Sequence, residues 1–267
     1  MIIGFVGAGK MAEAMMVGLI ERRYVEPTSV VASDVNAARL SDLGRRLGIR
    51  GGASNIDVVR EADVCFLAVK PQQLDAVLAE IAAVVTPDRL VISIAAGKRI
   101  AGMEALLPRG RVVRVMPNIA CLAGAGMNVF TRGARATEAD AAQVRVMLEC
   151  CGRALELPED QFDAVTALSG SGPAFFAYLL DGLVNGAVRE GLSRESALML
   201  AAQTMEGTAR LLLEQGLSPA DLAAAVTSAK GTTAAGREVL ENDGVADVLV
   251  RTIQAAARRS RELSHAQ

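Results

Sequence analysis

Three stretches of small, hydroxylated or glycine-rich sequence carry the chemistry this chain can offer. In Ala167-Leu168-Ser169-Gly170-Ser171-Gly172-Pro173-Ala174-Phe175-Phe176, two serines stand among glycines just ahead of a proline. Small residues let a backbone approach a ligand, hydroxyls both donate and accept, and proline suits a first helical turn because its missing N–H would be unpaired there. A helix start of this kind favours a carboxylate or phosphate, although the same residues also make an ordinary serine-capped helix. Thr227-Ser228-Ala229-Lys230-Gly231-Thr232-Thr233 precedes a second helical pattern over 234–240 and reads as another anion cradle, completing a small polar pocket. At the N-terminus, Gly7-Ala8-Gly9-Lys10-Met11-Ala12 is a G-x-G-x-x-A turn between an apolar run and a helical pattern. Gly7 permits the tight turn, Gly9 lets a pyrophosphate reach the backbone, and Ala12 lets the helix lie close to the strand, which together point to a dinucleotide.

The inventory also sets limits. The one histidine, His265, lies two residues from the end, so neither a histidine triad nor a histidine-rich metal site can be built, and no metal is expected. Cys65, Cys121, Cys150 and Cys151 show no C-x-x-C spacing and read as reduced, mostly buried thiols. A net charge of −2 with no basic block before Arg258-Arg259-Ser260-Arg261 argues against nucleic acid as a partner. No apolar run reaches membrane-spanning length and the N-terminus opens on a strand pattern, so a cytoplasmic protein without a membrane partner is expected.

The elements that would position these residues fall into two halves. Residues 1–6, 29–34, 63–69, 90–94, 111–116, 126–130 and 154–157 read as strands of a sheet of about eight, the first ones as continuous buried runs typical of parallel strands. Helical spacing follows over 13–22, up to Leu47, up to Glu61, over 74–85 and over 137–150, with 48–55 read as a loop. In such a doubly wound sheet ligands lie beyond the carboxyl ends of the strands. Four strand ends carry small or polar residues there: 7–12, 70–72, 95–97 and 117–118. At the end of the second strand, Asp34 would accept from a ribose 2′-hydroxyl and repel a 2′-phosphate, whereas Ser33, Asn36 and Arg39 would welcome one. Beyond Pro158 the strand signal stops, and 173–191, 193–215, 218–227 and 244–263 read as helices, with Ser193, Ser218 and Asp243 near their starts. At 267 residues, with 51% hydrophobic but only 3% aromatic residues, the chain has room for two domains, and its small-residue helices suit close packing, including packing between subunits. The expected class is therefore α/β: a Rossmann-like, doubly wound domain over 1–158 and an all-helical domain over 159–267.

Taken in order, several motifs resemble the pyrroline-5-carboxylate reductase family along nearly the whole chain. They are Gly7-Ala8-Gly9-Lys10-Met11-Ala12, Val69-Lys70-Pro71-Gln72, Ser93-Ile94-Ala95-Ala96-Gly97, Met116-Pro117-Asn118, Leu168-Ser169-Gly170-Ser171-Gly172-Pro173-Ala174, and Gly231-Thr232-Thr233 leading to Gly236 and Leu240-Glu241. The first is generic to nucleotide-binding sheets; the last two are specific. The resemblance implies hydride transfer from NADPH or NADH, NADPH being favoured, to Δ1-pyrroline-5-carboxylate to give L-proline. It also implies an intertwined homodimer and a larger ring of dimers. The implied cofactor residues are Gly7, Ala8, Gly9, Lys10 and Met11 at the turn, Val69, Lys70, Pro71, Ala95, Ala96 and Asn118 beside the nicotinamide, and Ser33, Asp34 and Asn55 towards the adenosine. The implied substrate residues are Ser169, Gly172, Lys230, Gly231, Thr232 and Thr233, with Thr233 and secondarily Ser171 as the catalytic pair bonded to the ring nitrogen or carboxylate.

The chain departs from the family pattern at Lys10, Ile119, Ala120, Ala229 and Lys230. Lys230 replaces a glycine, so it either adds a cation to the carboxylate site or strains a turn that wants positive φ. Read without the resemblance, the residues also fit another small-substrate reductase or a non-catalytic NAD(P)-sensing protein. A β-hydroxy-acid dehydrogenase usually needs a lysine on a long central helix, and 173–191 and 193–215 contain none.

Overall fold

The computed structural model describes residues 1–264 with their side chains and the backbone of His265. The side chain of His265, on which the exclusion of histidine chemistry turned, lies outside the described residues. Two compact units emerge, one formed by 1–171 with 256–267 and the other by 172–255.

In the first unit the apolar runs become β1 (Ile3–Val6), β2 (Val30–Ser33), β3 (Arg50–Gly51), β4 (Val64–Leu67), β5 (Leu90–Ser93), β6 (Arg111–Met116), β7 (Gly126–Arg132) and β8 (Gly152–Glu156). Their order across the sheet is β3-β2-β1-β4-β5-β6-β7-β8, parallel from β3 to β6, with β7 antiparallel to β6 and β8 parallel to β7. The first strands are buried on both faces because alternate residues face opposite helix layers. Ile3, Phe5, Val64 and Phe66 enter the layer of α1 (Lys10–Glu21), α2 (Ala37–Leu47) and α6 (Glu138–Glu149), where Phe5 and Phe66 stack at 4.9 Å. Val6, Cys65 and Leu67 enter the layer of α3 (Asn55–Glu61), α4 (Pro71–Ile81) and α5 (Ile100–Leu106). The doubly wound expectation is met, and the strand order reverses between β1 and β4, where such sheets bind ligands.

Two elements differ from the expected pattern. The 48–55 segment contains β3, which pairs with β2 through Val31 to Arg50 and Ala32 to Gly51, and α5 fills a stretch with no assigned element. After β8, α7 (Phe162–Val165) leads directly into a π turn over Thr166–Gly170.

The second unit holds α8 (Gly172–Arg189), α9 (Arg194–Gln215), α10 (Pro219–Val226), α11 (Thr232–Asn242) and the first half of α12 (Val245–His265), whose last residues belong to the first unit. Ser193 and Ser218 cap their helices as expected, accepting from the N–H groups of Ser196 and Asp221. Asp243 does not open a helix; it closes α11, and Gly244 at φ +63 makes the turn into α12. Among the described residues no helix is long and apolar enough to cross a membrane.

Candidate active site

The glycine turn sits at the reversal point. Gly7 has φ +93, and a Cβ there would lie 2.8 Å from the Ala68 carbonyl oxygen, so only glycine fits between β1 and the end of β4. Gly9 is different: its φ is −67, and a Cβ would meet nothing within 4 Å. It is the N-cap of α1 and no side chain caps that helix, so the first-turn N–H groups at Lys10 and Met11 face open space. This is a cradle that a side chain would fill and a pyrophosphate fits, at the positive end of a 12-residue helix.

Around it opens a cleft of about 650 Å³ lined by Gly7, Gly9, Asp34, Asn55, Val69 and Lys70, all expected from sequence. Val35, Gln73, Ala76, Val77 and Glu80 also line it and were missed. The signal for the last four was their spacing, which puts them on one face of α4. Ala95 is buried on the exit of β5, while Ala96 is exposed and Asn118 half-buried after β6, its side chain accepting from the Met127 N–H at 3.1 Å. These three lie at the same carboxyl edge of the sheet but do not line that cleft.

The polar residues at the end of β2 are mutually committed. Asp34 accepts from the Ala8 N–H at 2.7 Å and the Asn36 N–H at 2.8 Å, pinning the glycine turn to β2. Ser33 donates to Asn55 at 2.7 Å, and the Asn55 amide donates to Glu80 at 2.8 Å. Arg39, expected to welcome a 2′-phosphate, instead donates to the Ala8 carbonyl at 3.0 Å and to Glu13. Glu13 also takes Arg46 at 2.5 Å, and the hydrogen bond from Arg46, followed by that from Arg39, holds its carboxyl below the usual range against partial burial. The guanidinium of Arg39 is thus neutralised by a carboxylate, while Asp34 lines the cleft at the end of β2.

The helix expected from 173 does start within the serine stretch, at Gly172, but the residues ahead of it are already helical. Residues 166–170 form a π turn that follows α7, and the Ser171 N–H donates to the Thr166 carbonyl at 2.9 Å, so that amide is not free for an anion. Ser169 is likewise engaged, its hydroxyl donating to the Val165 carbonyl at 3.2 Å. Ser171, half-buried just after the turn, makes no such bond among the described residues. Gly172 is the buried first residue of α8 and opens the second unit.

In that unit the 228–231 turn is closed by the Gly231 N–H donating to the Ser228 carbonyl at 3.0 Å, and Lys230 stands at its third position with φ +60. The positive φ expected of a strained turn is thus present at Lys230. A left-handed conformation costs a side-chain-bearing residue about 1–2 kcal/mol. Lys230→Gly is therefore expected to raise the unfolding free energy by about 1 kcal/mol and Lys230→Ala to give none of that gain, as read from denaturant midpoints. Gly231 caps α11, with exposed Thr232 and half-buried Thr233 in the first turn.

No thiol is suited to proton or nucleophile work. Burial pushes Cys65 and Cys151 up to about 12 and raises Cys121 and Cys150, so all four stay protonated, and all four are free. What the first unit offers is an anion cradle at the glycine turn, a cleft beside it with Asp34 and Asn55 in its lining, and small residues at the exit of β5.

Comparison with known proteins agrees along both halves. Residues 2–97 match the family described as NADP oxidoreductase coenzyme F420-dependent, and residues 159–263 match the family described as Pyrroline-5-carboxylate reductase dimerisation. A pyrroline-5-carboxylate reductase of Methanosarcina acetivorans is 45% identical over 98% of this chain and 97% of its own. A solved pyrroline-5-carboxylate reductase from Coxiella burnetii superposes with a TM-score of 0.93 at 32% identity, covering 98% of this chain and 97% of that one. The Plasmodium falciparum pyrroline carboxylate reductase, solved with NADP bound, gives a TM-score of 0.87 at 26% identity and covers 98% of both chains. With the same fold and 45% identity over 98% of its length, the chain belongs to the pyrroline-5-carboxylate reductase family.

Proposed function

We propose that this chain is an NAD(P)H-dependent oxidoreductase that reduces Δ1-pyrroline-5-carboxylate to L-proline. The observation that carries the reading is the 45% identity with the Methanosarcina acetivorans reductase over 98% of the chain, so that the helical half is shared along with the more widespread nucleotide-binding sheet. When bound, the reduced nicotinamide supplies a hydride to the imine carbon. The chain's own residues then have two tasks, orientation and charge. Gly7, Ala8, Gly9, Lys10 and Met11 hold the pyrophosphate; Ser33, Asp34 and Asn55 face the adenosine; Val69, Lys70, Pro71, Ala95, Ala96 and Asn118 orient the nicotinamide. Thr233 bonds the ring nitrogen or the carboxylate with Ser171 in support, and Ser169, Gly172, Lys230, Gly231 and Thr232 shape the substrate site. Because the ring nitrogen can arrive protonated, positioning suffices and no histidine is needed. We divide these roles at Pro158, with 1–158 for the nucleotide and 159–267 for substrate and dimerisation; the start of the helical family match at residue 159 supports that division.

The test is NAD(P)H oxidation with pyrroline-5-carboxylate, run beside piperideine-carboxylate and simple keto acids. Turnover confined to keto acids would overturn the reading. Both cofactors are expected to work, with Asp34 setting their ratio. A carboxylate about 4 Å from a 2′-phosphate costs at least about 1 kcal/mol even at the dielectric of water. Asp34→Ala should therefore move the ratio of specificity constants towards NADPH by about tenfold, while weakening both cofactors through loss of the bond to the Ala8 N–H. An unchanged ratio would mean that Asp34 only braces the turn.

The reading includes a homodimer. Phe176, Leu183 and Leu200 stand 53, 65 and 57% exposed and line an apolar groove between α8 and α9, a surface that a second copy would cover. Sedimentation at micromolar concentration is expected to show no monomer, and the same run resolves whether dimers join into the larger ring. A cytoplasmic location accompanies the reading, supported by four unpaired thiols.

A further inference from the structure

Arg114 stands in the middle of β6 at 5% exposure, between Val113 and Val115 at 0 and 1%. A guanidinium buried this deeply is costly unless paired, so its partners define what the position is for. It donates to Glu159 at 2.9 Å, and its central carbon lies 4.6 Å from the centroid of the buried Phe162 ring. Two residues further along the same face of β6, the Met116 methyl lies 2.7 Å from where a Cβ at Gly170 would be. One strand face therefore holds both ends of the segment that runs from Glu159 to Gly170. That segment includes the π turn, whose i to i−5 bonding is rarer and poorer than α-helical bonding and needs support from outside.

Glu159 reaches a second element as well. The same carboxylate oxygen that takes Arg114 accepts from the Ile100 N–H at 2.8 Å, where α5 begins just after Ala95-Ala96-Gly97. A single ion pair thus ties the loop at the end of β5 to the turn that carries Ser169 and Ser171.

We infer that Arg114 and Glu159 are a positioning pair that fixes the Ser169–Ser171 turn relative to the Ala95–Gly97 loop, a role that rests on the function proposed above. Neither side chain needs to touch substrate or cofactor. The charge-assisted bond and the stacking on Phe162 set the distance between two elements that must face one reaction.

The test uses full-length Arg114→Met, Glu159→Gln and the double variant, with four readouts: melting temperature, NADPH affinity by fluorescence, steady-state kinetics with pyrroline-5-carboxylate, and amide exchange of peptides covering 95–101 and 162–172. Glu159→Gln leaves the buried Arg114 without its counter-charge and Arg114→Met leaves the half-buried Glu159 without its cation, and each is expected to lower kcat at least tenfold and to speed exchange over 162–172. NADPH affinity should fall far less than kcat, because the glycine turn that would hold the pyrophosphate is untouched. The double variant removes both charges and keeps an acceptor for the Ile100 N–H, so it should regain melting temperature yet keep the low kcat and fast exchange. If a single variant does not fold, the double variant decides. Recovery of kcat in step with melting temperature, or unchanged exchange over 162–172, would overturn the inference. If the wild type does not reduce pyrroline-5-carboxylate, the proposed function fails separately, and exchange over the serine turn still decides whether the pair positions it.

Discussion

Gly9→Val is expected to give a folded protein whose NADPH affinity is weaker by at least about 100-fold, or about 2.7 kcal/mol. The contrast between two glycines two residues apart is the reason. At Gly9 the backbone is one that any residue adopts, and an added Cβ touches no protein atom within 4 Å. Folding should therefore lose no more than about 1 kcal/mol, mainly from a poorer N-cap. The vacant space is the space above the first turn of α1 that a pyrophosphate would take, and a valine there removes the close approach of backbone N–H groups to the anion. Gly7→Val should behave in the opposite way. Its positive φ and the Ala68 carbonyl 2.8 Å from the new Cβ put the damage into folding itself. Fluorescence titration and thermal melting of the two variants separate ligand contact from turn geometry. A folded Gly9→Val protein that binds NADPH as the wild type does would remove the cradle from this turn.

What the sequence revealed followed from how strongly each element is written locally. β4 was legible because Val64 to Leu67 is apolar throughout, as a central parallel strand buried on both faces must be. β3 was not, because two residues in a glycine-rich loop carry no periodicity and become a strand only by pairing with β2. α5 escaped for a similar reason: seven residues with Gly102 among them and no capping side chain give no clear start signal. The serine stretch was legible in part: α8 does begin within it, at Gly172, but the π turn ahead of that helix was not foreseen. Its residue types describe a capped helix start, yet Met116 and the Arg114–Phe162 stack brace a π turn that joins α7 to α8, a tertiary effect with no local signature. Arg39 shows the same limit in electrostatics. Its charge was visible, but its commitment to Glu13, 26 positions away, depends on how α1 and α2 pack. Lys230 was legible in its backbone, because a lysine in place of glycine raised the question of a positive φ, and φ +60 answers it.

Thr233→Ala tests the other half of the proposed site, and its effect should fall on turnover. Thr204, Thr208, Thr227 and Thr252 each donate to the carbonyl four residues back at 2.6–2.9 Å, so their hydroxyls are spent inside their own helices. Thr233 stands in the first turn of α11, where the residue four back, Ala229, precedes the helix, and among the described residues its hydroxyl forms no such bond. A half-buried, uncommitted hydroxyl next to first-turn N–H groups is placed to bond an anionic or imine-bearing ligand. If its bond strengthens as the hydride arrives, removing it should lower kcat/KM by about 1–3 kcal/mol, roughly 5- to 150-fold. NADPH affinity should barely change, and Thr233→Ser should recover most of the loss. Lys230→Gly provides the control within the same loop: it relieves strain and removes a cation, so it should change KM more than kcat, with an effect that shrinks as salt rises. Loss of NADPH affinity in Thr233→Ala would assign this loop to the nucleotide instead, and two fully active variants would put the substrate outside residues 227–233.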